Sequence, residues 1–256
     1  MFISTLKTST STPKRIISLV PSISSLLNHL ELDAETVGIT KFCTHPKHWF
    51  STKTIIGGTK NIHIKKVMEL NPDLIIANKE ENIKEQVEEL AAHFPVWLTD
   101  VNHLNDALNM ITDIGQLTNR NELSQQLIEK INGGFNTLQN HHKARYRTCY
   151  LIWKDPYMSI GGDTFIHDMM MRAGFDNIFG HLTRYPSISI DELITNKPEL
   201  LLLSSEPYPF KDQHIKDLKT LLPYTKICLV DGIPFSWYGD LIQHSPLYFK
   251  ELHKKQ

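Results

Sequence analysis

The 256-residue chain carries no surplus of either charge, no closely paired cysteines and no long apolar run. With 27 Lys and Arg against 28 Asp and Glu, it has no one-signed field with which to hold nucleic acid or an anionic membrane, so neither is expected as a partner. Its three cysteines, Cys43, Cys149 and Cys228, form no Cys-x-x-Cys pair and leave at least one unpaired, which favours a reducing compartment over a disulfide framework. No run of about 18 apolar residues is present, so insertion into a bilayer is not expected. The first 14 residues, rich in Ser and Thr, lack the apolar core of a secretory leader, and no lipid-anchor cysteine follows. Taken as a native start, they predict a cytoplasmic protein. There are neither paired catalytic carboxylates nor a nucleophile–His–acid arrangement. Gly57-Gly58-Thr59-Lys60 falls short of the full phosphate-loop spacing. A non-enzyme is therefore expected.

Against these absences stands a regular alternation of buried strands and amphipathic helices. Arg15-Ile-Ile-Ser-Leu-Val-Pro21 reads as a buried strand leaving a sheet, with Ser22 placed to cap the helix after it. Thr36–Thr40, Leu74–Ala77 and Val96–Leu98 give further strands, and residues 64–70 and 80–92 give helices. Leu104, Leu108, Ile111, Ile114, Leu123, Leu127, Ile131, Phe135 and Leu138 recur at three- and four-residue steps. They predict one long helix over 104–142, weakened or bent at Gly115 and at Gly133-Gly134. Beyond it the plan repeats: Glu192-Leu-Ile-Thr-Asn-Lys-Pro-Glu-Leu-Leu-Leu-Leu203 copies Met68-Glu-Leu-Asn-Pro-Asp-Leu-Ile-Ile-Ala77 as helix end, proline turn and buried strand. The expected fold is α/β, with two lobes carrying parallel-type sheets joined by one long helix. The expected divisions are a flexible tail at 1–14, an N-terminal lobe at 15–103, the linking helix at 104–142 and a C-terminal lobe at 143–256. Two such lobes would leave a cleft lined by strand-end loops.

Arg15-Ile-Ile-Ser-Leu-Val-Pro-Ser22, Val37-Gly-Ile, Asn71-Pro-Asp-Leu-Ile-Ile-Ala77, Gly161-Gly-Asp-Thr-Phe165, Ala173-Gly-Phe-Asp-Asn-Ile-Phe179 and Lys197-Pro-Glu-Leu follow in a specific order. In that order the chain resembles the Fe/B12 periplasmic-binding family, the substrate-binding proteins of cobalamin and iron-chelate transporters of class III. The resemblance covers Arg15 to the end. It implies lobes that barely hinge and a metal chelate held in the cleft: cobalamin or another corrinoid, haem or a ferric siderophore. It also implies a periplasmic location, against the cytoplasmic expectation from the leader-less start, and a monomer. The loops that match offer Phe42, Trp49, Trp153, Tyr157, Tyr185, Phe235, Trp237 and Tyr238 as rings, with Pro21 and Ser22 beside them. Cobalamin binders carry bulky aromatics where this chain has Thr59 and Asn78. Transport members dock on an ABC permease through one acidic residue per lobe. Here Lys65 has the opposite sign, whereas Asp191 or Glu192 fits.

Cys43, His45 and His48 form a Cys-x-His-x-x-His cluster that could bind a transition metal, or could simply shape a loop whose rings face the cleft. His63 and His167 could ligate cobalt or iron axially, or be ordinary hydrogen-bonded histidines. Gly161-Gly162-Asp163-Thr164 could aim amides at an anion or form a plain turn capped by Asp163 or Thr164. Residues 204–210 and 231–238 are expected at the cleft rim. The resulting functional expectation is a binding protein for a corrinoid or related metal chelate. The alternative is a cytoplasmic metal-dependent enzyme or corrinoid-processing factor on the same fold, motivated by Lys65 and the Cys43 cluster.

Overall fold

In the computed structural model, which describes residues 12–139 and 145–255, the expected alternation is realised as two parallel sheets. The first half runs β1 (Ile16–Ser18), α1 (Pro21–His29), β2 (Thr36–Ile39), α2 (Trp49–Thr52), β3 (Thr54–Ile55), β4 (Gly57–Gly58) and β5 (Asn61–Ile62). It continues through α3 (Ile64–Leu70), β6 (Leu74–Asn78), α4 (Lys84–Ala91), β7 (Val96–Thr99), α5 (Leu104–Leu117) and α6 (Asn121–Gln139). Then follow β8 (Tyr146–Leu151), α7 (Phe165–Arg172), β9 (Phe175–Asn177), α8 (Ile190–Asn196), β10 (Leu200–Ser204), α9 (Asp212–Leu221) and β11 (Lys226–Val230). α10 (Ile233–Ser236) and α11 (Ser245–Lys254) complete the described chain.

These residues fall into two compact units. Unit 1 holds the chain through Val101, Asn105–Lys130 and Tyr238–Leu241; unit 2 holds Asn102–Leu104, Ile131–Trp237 and the residues from Ile242 onward. Unit 1 contains a five-stranded sheet in the order β3-β2-β1-β6-β7, every pair parallel. Its core gathers Ile17, Leu19, Ile56, Ile75, Leu90 and Val96. Unit 2 contains β11-β10-β8-β9, again all parallel, over Leu151, Phe179, Leu193, Leu201, Leu203 and Leu218. Each such fully buried side chain contributes about 1.5–3 kcal/mol against exposure.

The two units repeat a detail finer than the helix–proline–strand plan. In unit 1, Asn71 ends α3 in the left-handed region at φ 43°, and in unit 2 Lys197 ends α8 likewise at φ 46°. Pro72 and Pro198 then forbid further helix. Arg15 donates through Nε to the Leu70 carbonyl at 2.9 Å, while its own amide donates to Asp73 Oδ1 at 2.9 Å. Arg147 likewise donates through Nη2 to the Asn196 carbonyl at 2.8 Å and from its amide to Glu199 Oε2 at 2.7 Å. One arginine and one acid thus clasp the start of a central strand to the helix end and turn that lead into its neighbouring strand in each half.

Three local expectations are corrected. The helical span over 104–142 is two helices, interrupted at residues 118–120 rather than at Gly115 or Gly133-Gly134. Asn119 takes φ 56° and the Arg120 amide reaches back to the Gly115 carbonyl at 2.7 Å, the closing bond of a left-handed helix stop. A side chain at Gly115 would meet Ser124 Oγ at 2.1 Å, so the glycine serves the close approach of α5 to α6. The expected end of that span at 140–142 lies outside the described residues, as does the tail up to residue 11. Second, α1 begins at Pro21 itself, with Val20 as an uncapped N-terminus. Proline at the first helical position replaces the expected Ser22 cap. Third, α4 starts at Lys84 rather than Glu80, because Asn78 Oδ1 accepts from the amides of Glu80 and Glu81 at 2.9 and 3.2 Å and holds them in a turn.

Two histidines of unit 2 give the fold a signed pH dependence. His253 stacks on Phe175 with centroids 4.7 Å apart and donates from Nε2 to the Ala173 carbonyl, and burial holds its pKa below the ordinary histidine value. His167, whose Nδ1 lies 3.2 Å from Asn177 Nδ2, is lowered by burial as well. The unfolded chain therefore takes up these protons first. Stability from both sites is complete above about pH 6.5 and is lost as pH falls from there towards the depressed folded values. Urea midpoints at pH 7.5 and 5.5 are expected to show that loss in the native protein, and a smaller one in a His167→Asn, His253→Phe double variant.

Candidate functional site

Because every strand of each five- or four-stranded sheet runs the same way, the segments leaving their carboxyl ends gather along one margin of each sheet. In unit 1 that margin carries Pro21 and Ser22 after β1, Phe42 after β2, Thr59 beyond β3 and Asn78 at the end of β6. Phe42 is the exposed ring of the set, at 51%, with Lys41 Nζ 5.1 Å from its centroid. Ser22 is buried, and its hydroxyl has no hydrogen-bond partner among the described residues. Thr59 is buried, and its carbonyl accepts from Asn82. Asn78 is also buried, its amide nitrogen donating to Thr99 Oγ1 at 3.1 Å and its oxygen fixing the following turn. Asn78 thus builds the margin from beneath instead of presenting a side chain on it.

In unit 2 the margin is richer in rings. After β8 the chain doubles back, Met158 and Trp153 forming an isolated bridge, with the Met158 amide donating to the Trp153 carbonyl at 3.2 Å. This turn presents Trp153, 41% exposed, whose ring meets Tyr208 edge-on at 5.6 Å. Tyr157 sits half-buried on the same turn, and burial pushes its phenol up. Residues 157–162 then run beside 182–188, the Ile188 amide donating to the Tyr157 carbonyl at 2.8 Å and the Gly161 amide to the Arg184 carbonyl at 2.7 Å. Half-buried Tyr185 lies on that second segment, under the Arg184 guanidinium at 5.8 Å. Trp237, half-buried, follows β11, and its Nε1 donates to Glu206 Oε1 at 2.9 Å.

Several sequence-derived roles do not survive the geometry. Phe235 is wholly buried, 5.0 Å from the ring of Tyr150 and 4.8 Å from that of Phe249, so it packs the interior and does not line a surface. Trp49 is equally buried, its Nε1 donating to Asp33 Oδ1, with the Lys53 ammonium 5.3 Å from its ring. Tyr238 is buried too. The Cys43, His45, His48 cluster is not assembled. Cys43 is buried, which pushes its thiol up, and its Sγ donates to the His45 carbonyl at 3.2 Å. His45 Nδ1 lies 3.0 Å from Thr44 Oγ1, and His48 Nε2 lies 3.6 Å from Asp33. Among the described residues no three His, Cys, Asp or Glu side chains gather as a metal site. Of the two observations behind the metal-dependent enzyme alternative, the one from the Cys43 cluster is thereby removed. Thr164, not Asp163, caps α7 by accepting from the His167 amide at 3.3 Å. The Gly161 and Gly162 amides are taken by the carbonyls of Arg184 and Leu182, which leaves neither for an anion. A hollow of about 240 Å³ beside Trp97, Asp100, Asn109 and Asp113 has room for a side-chain-sized group, well short of a macrocycle.

The model of the family described as periplasmic binding protein matches residues 16–221, which hold the whole first sheet and all of the second but β11. The chain belongs to that family. This periplasmic binding protein is 24% identical over 197 residues to the vitamin B12-binding protein of Yersinia pestis (strain Pestoides F), a match covering 75% of this chain and 69% of that one. Its fold is shared with the periplasmic vitamin B12 binding protein BtuF of Vibrio cholerae at a TM-score of 0.81 and 18% identity, over 96% and 99% of the two chains. The periplasmic heme binding protein HutB of Vibrio cholerae matches at 0.79 and 18%, over 94% and 98%. The class III binding-protein architecture expected from the sequence is therefore present. No described helix of this family member is long and apolar enough to cross a membrane.

Sequence reasoning missed Glu206 and Ser236, which support Trp237. The available signal was an acid standing alone in the ring-rich stretch 204–210, a residue type that rarely sits half-buried without a donor to accept from.

Proposed function

We propose that this protein binds a metal-containing macrocycle or chelate, a corrinoid foremost and haem or a ferric siderophore as the related classes, and delivers it as the substrate-binding component of an ABC uptake system. The observation that carries the reading is the disposition of rings: Phe42 on the strand-end margin of unit 1, and Trp153, Tyr157, Tyr185 and Trp237 on that of unit 2, all at least partly exposed. Half-exposed indoles and phenols give broad apolar area with a polar tip, which suits the face of a flat ligand. Relatives named for vitamin B12 and heme binding support the same ligand class. On this reading the docking acid of unit 2 is Asp191 or Glu192, both exposed at the start of α8, and exposed Lys65 on α3 stands where unit 1 would need another. On this reading the permease surface facing Lys65 carries an acid.

Titrating the purified protein with cyanocobalamin, cobinamide, haemin and ferrichrome, followed by tryptophan quenching and calorimetry, is expected to give saturable one-site binding for at least one. Trp153→Ala should weaken that binding about tenfold or more, as loss of an aromatic anchor does. Absence of binding by all four would overturn the proposal.

A further inference from the structure

We infer that Glu206 is a positioning residue for the ligand surface of unit 2, one of its carboxylate oxygens holding the Trp237 indole and the Ser236 hydroxyl at once. The inference rests on the reading of Trp237 as a ligand-facing ring. Glu206 Oε1 accepts from Trp237 Nε1 at 2.9 Å and from Ser236 Oγ at 2.8 Å. Those two donors follow β11, whereas Glu206 follows β10, so the carboxylate ties together two loops that leave neighbouring parallel strands.

The backbone of Glu206 is itself fixed. Ser204 Oγ donates to its carbonyl at 2.6 Å and accepts from its amide at 3.3 Å, while the Tyr150 hydroxyl donates to Ser204 Oγ at 3.1 Å. Space for this arrangement is set by Gly232, where a Cβ would stand 2.5 Å from Glu206 Cγ and 2.6 Å from Ser204 Oγ. Gly232 in turn donates its amide to Ser205 Oγ at 3.0 Å. Tyr150 of β8 and Ser204 of β10 therefore fix the backbone of a half-buried residue whose carboxylate holds the segment after β11. A charge-assisted bond from an indole N–H is stronger than a neutral one, and it selects a single ring orientation from those a half-exposed tryptophan would otherwise sample. A ring ordered before the ligand arrives does not lose that freedom on binding, which raises affinity.

The test compares Glu206→Ala, Glu206→Gln and Glu206→Asp in the full chain. One readout is the Trp237 indole N–H resonance, assigned by its loss in Trp237→Phe; the other is affinity for whichever of cyanocobalamin, cobinamide, haemin and ferrichrome the unaltered protein binds. Glu206→Ala is expected to shift or broaden the indole resonance and weaken binding about tenfold. Glu206→Gln, which keeps an accepting oxygen in place, should restore both to near native. Should the alanine chain not fold, Glu206→Asp reads the same contact, since it keeps the charge and withdraws the oxygen by one methylene. An indole resonance unmoved in Glu206→Ala, or in Glu206→Asp if that chain stands in for it, overturns the inference. Damage by glutamine equal to that by alanine does so as well. If none of the four ligands binds the unaltered protein, the functional reading fails by itself, and the indole resonance still decides the role of Glu206.

Discussion

Phe235→Ala is expected to lower the unfolding free energy by about 3–5 kcal/mol, the range for deleting a fully buried aromatic side chain from a packed interior. Phe235 has no exposed surface and packs against Tyr150 at 5.0 Å, Phe249 at 4.8 Å and Tyr248 at 6.2 Å between centroids. Around it, Tyr150 is fully buried and Tyr248 Oη accepts from the Asp231 amide at 2.8 Å, so neither ring is free to close over the space left behind. Urea unfolding at unchanged m-value measures the loss. In the fraction that stays folded, chelate affinity should remain within about threefold, because the ring meets no solvent. A near-neutral midpoint accompanied by lost binding would return Phe235 to the ligand surface and undo its assignment to the interior.

A second large effect is expected at Gly162. A Cβ there would stand 2.2 Å from the Gly180 carbonyl oxygen, and one at Gly161 would stand 2.5 Å from that of Leu182. These neighbours are backbone, so no side-chain rotation relieves the clash. Gly162→Ala should cost about 3 kcal/mol, at the upper end of overpacking, through displacement of residue 162 from the Gly180 backbone. Gly133→Ala supplies the opposite case. It sits within α6 with nothing inside 4 Å of the added methyl, and should stabilise by about 0.5–1 kcal/mol through helix propensity. Chemical denaturation of the pair separates close backbone approach from mere glycine content. Equal and small changes in both would show that the 157–162 segment is looser than described.

The parts of the fold legible in the sequence were those with a period. Buried strands such as Leu200–Ser204 and the proline turns after Asn71 and Lys197 announce themselves through local composition, and their repetition gave two α/β halves. The clasp of Arg15 with Asp73, 58 residues apart, and of Arg147 with Glu199, 52 apart, has no local signature and needed coordinates. The same limit governed the ring-bearing loops. Phe42 and Trp153 lie in irregular stretches, and Trp49 and Phe235 in single-turn helices too short for a periodicity to distinguish an inward from an outward side chain. Two of them turn out exposed and two buried. Close spacing in Cys43, His45 and His48 likewise said nothing of direction, and the three side chains turn to a carbonyl, a hydroxyl and a carboxylate respectively. The helix break fell at Asn119 because asparagine enters the left-handed region at modest cost, a possibility that attention to glycine alone passes over.

The uniform strand direction within each sheet has an evolutionary corollary. Apolar residues that secure folding occupy the strands and the helix faces against them, whereas cargo chemistry is written in short peptides at one rim. Selection can revise the second text while leaving the first unedited. Proteins named for vitamin B12 and for heme binding can then share one scaffold with this chain at 18% identity.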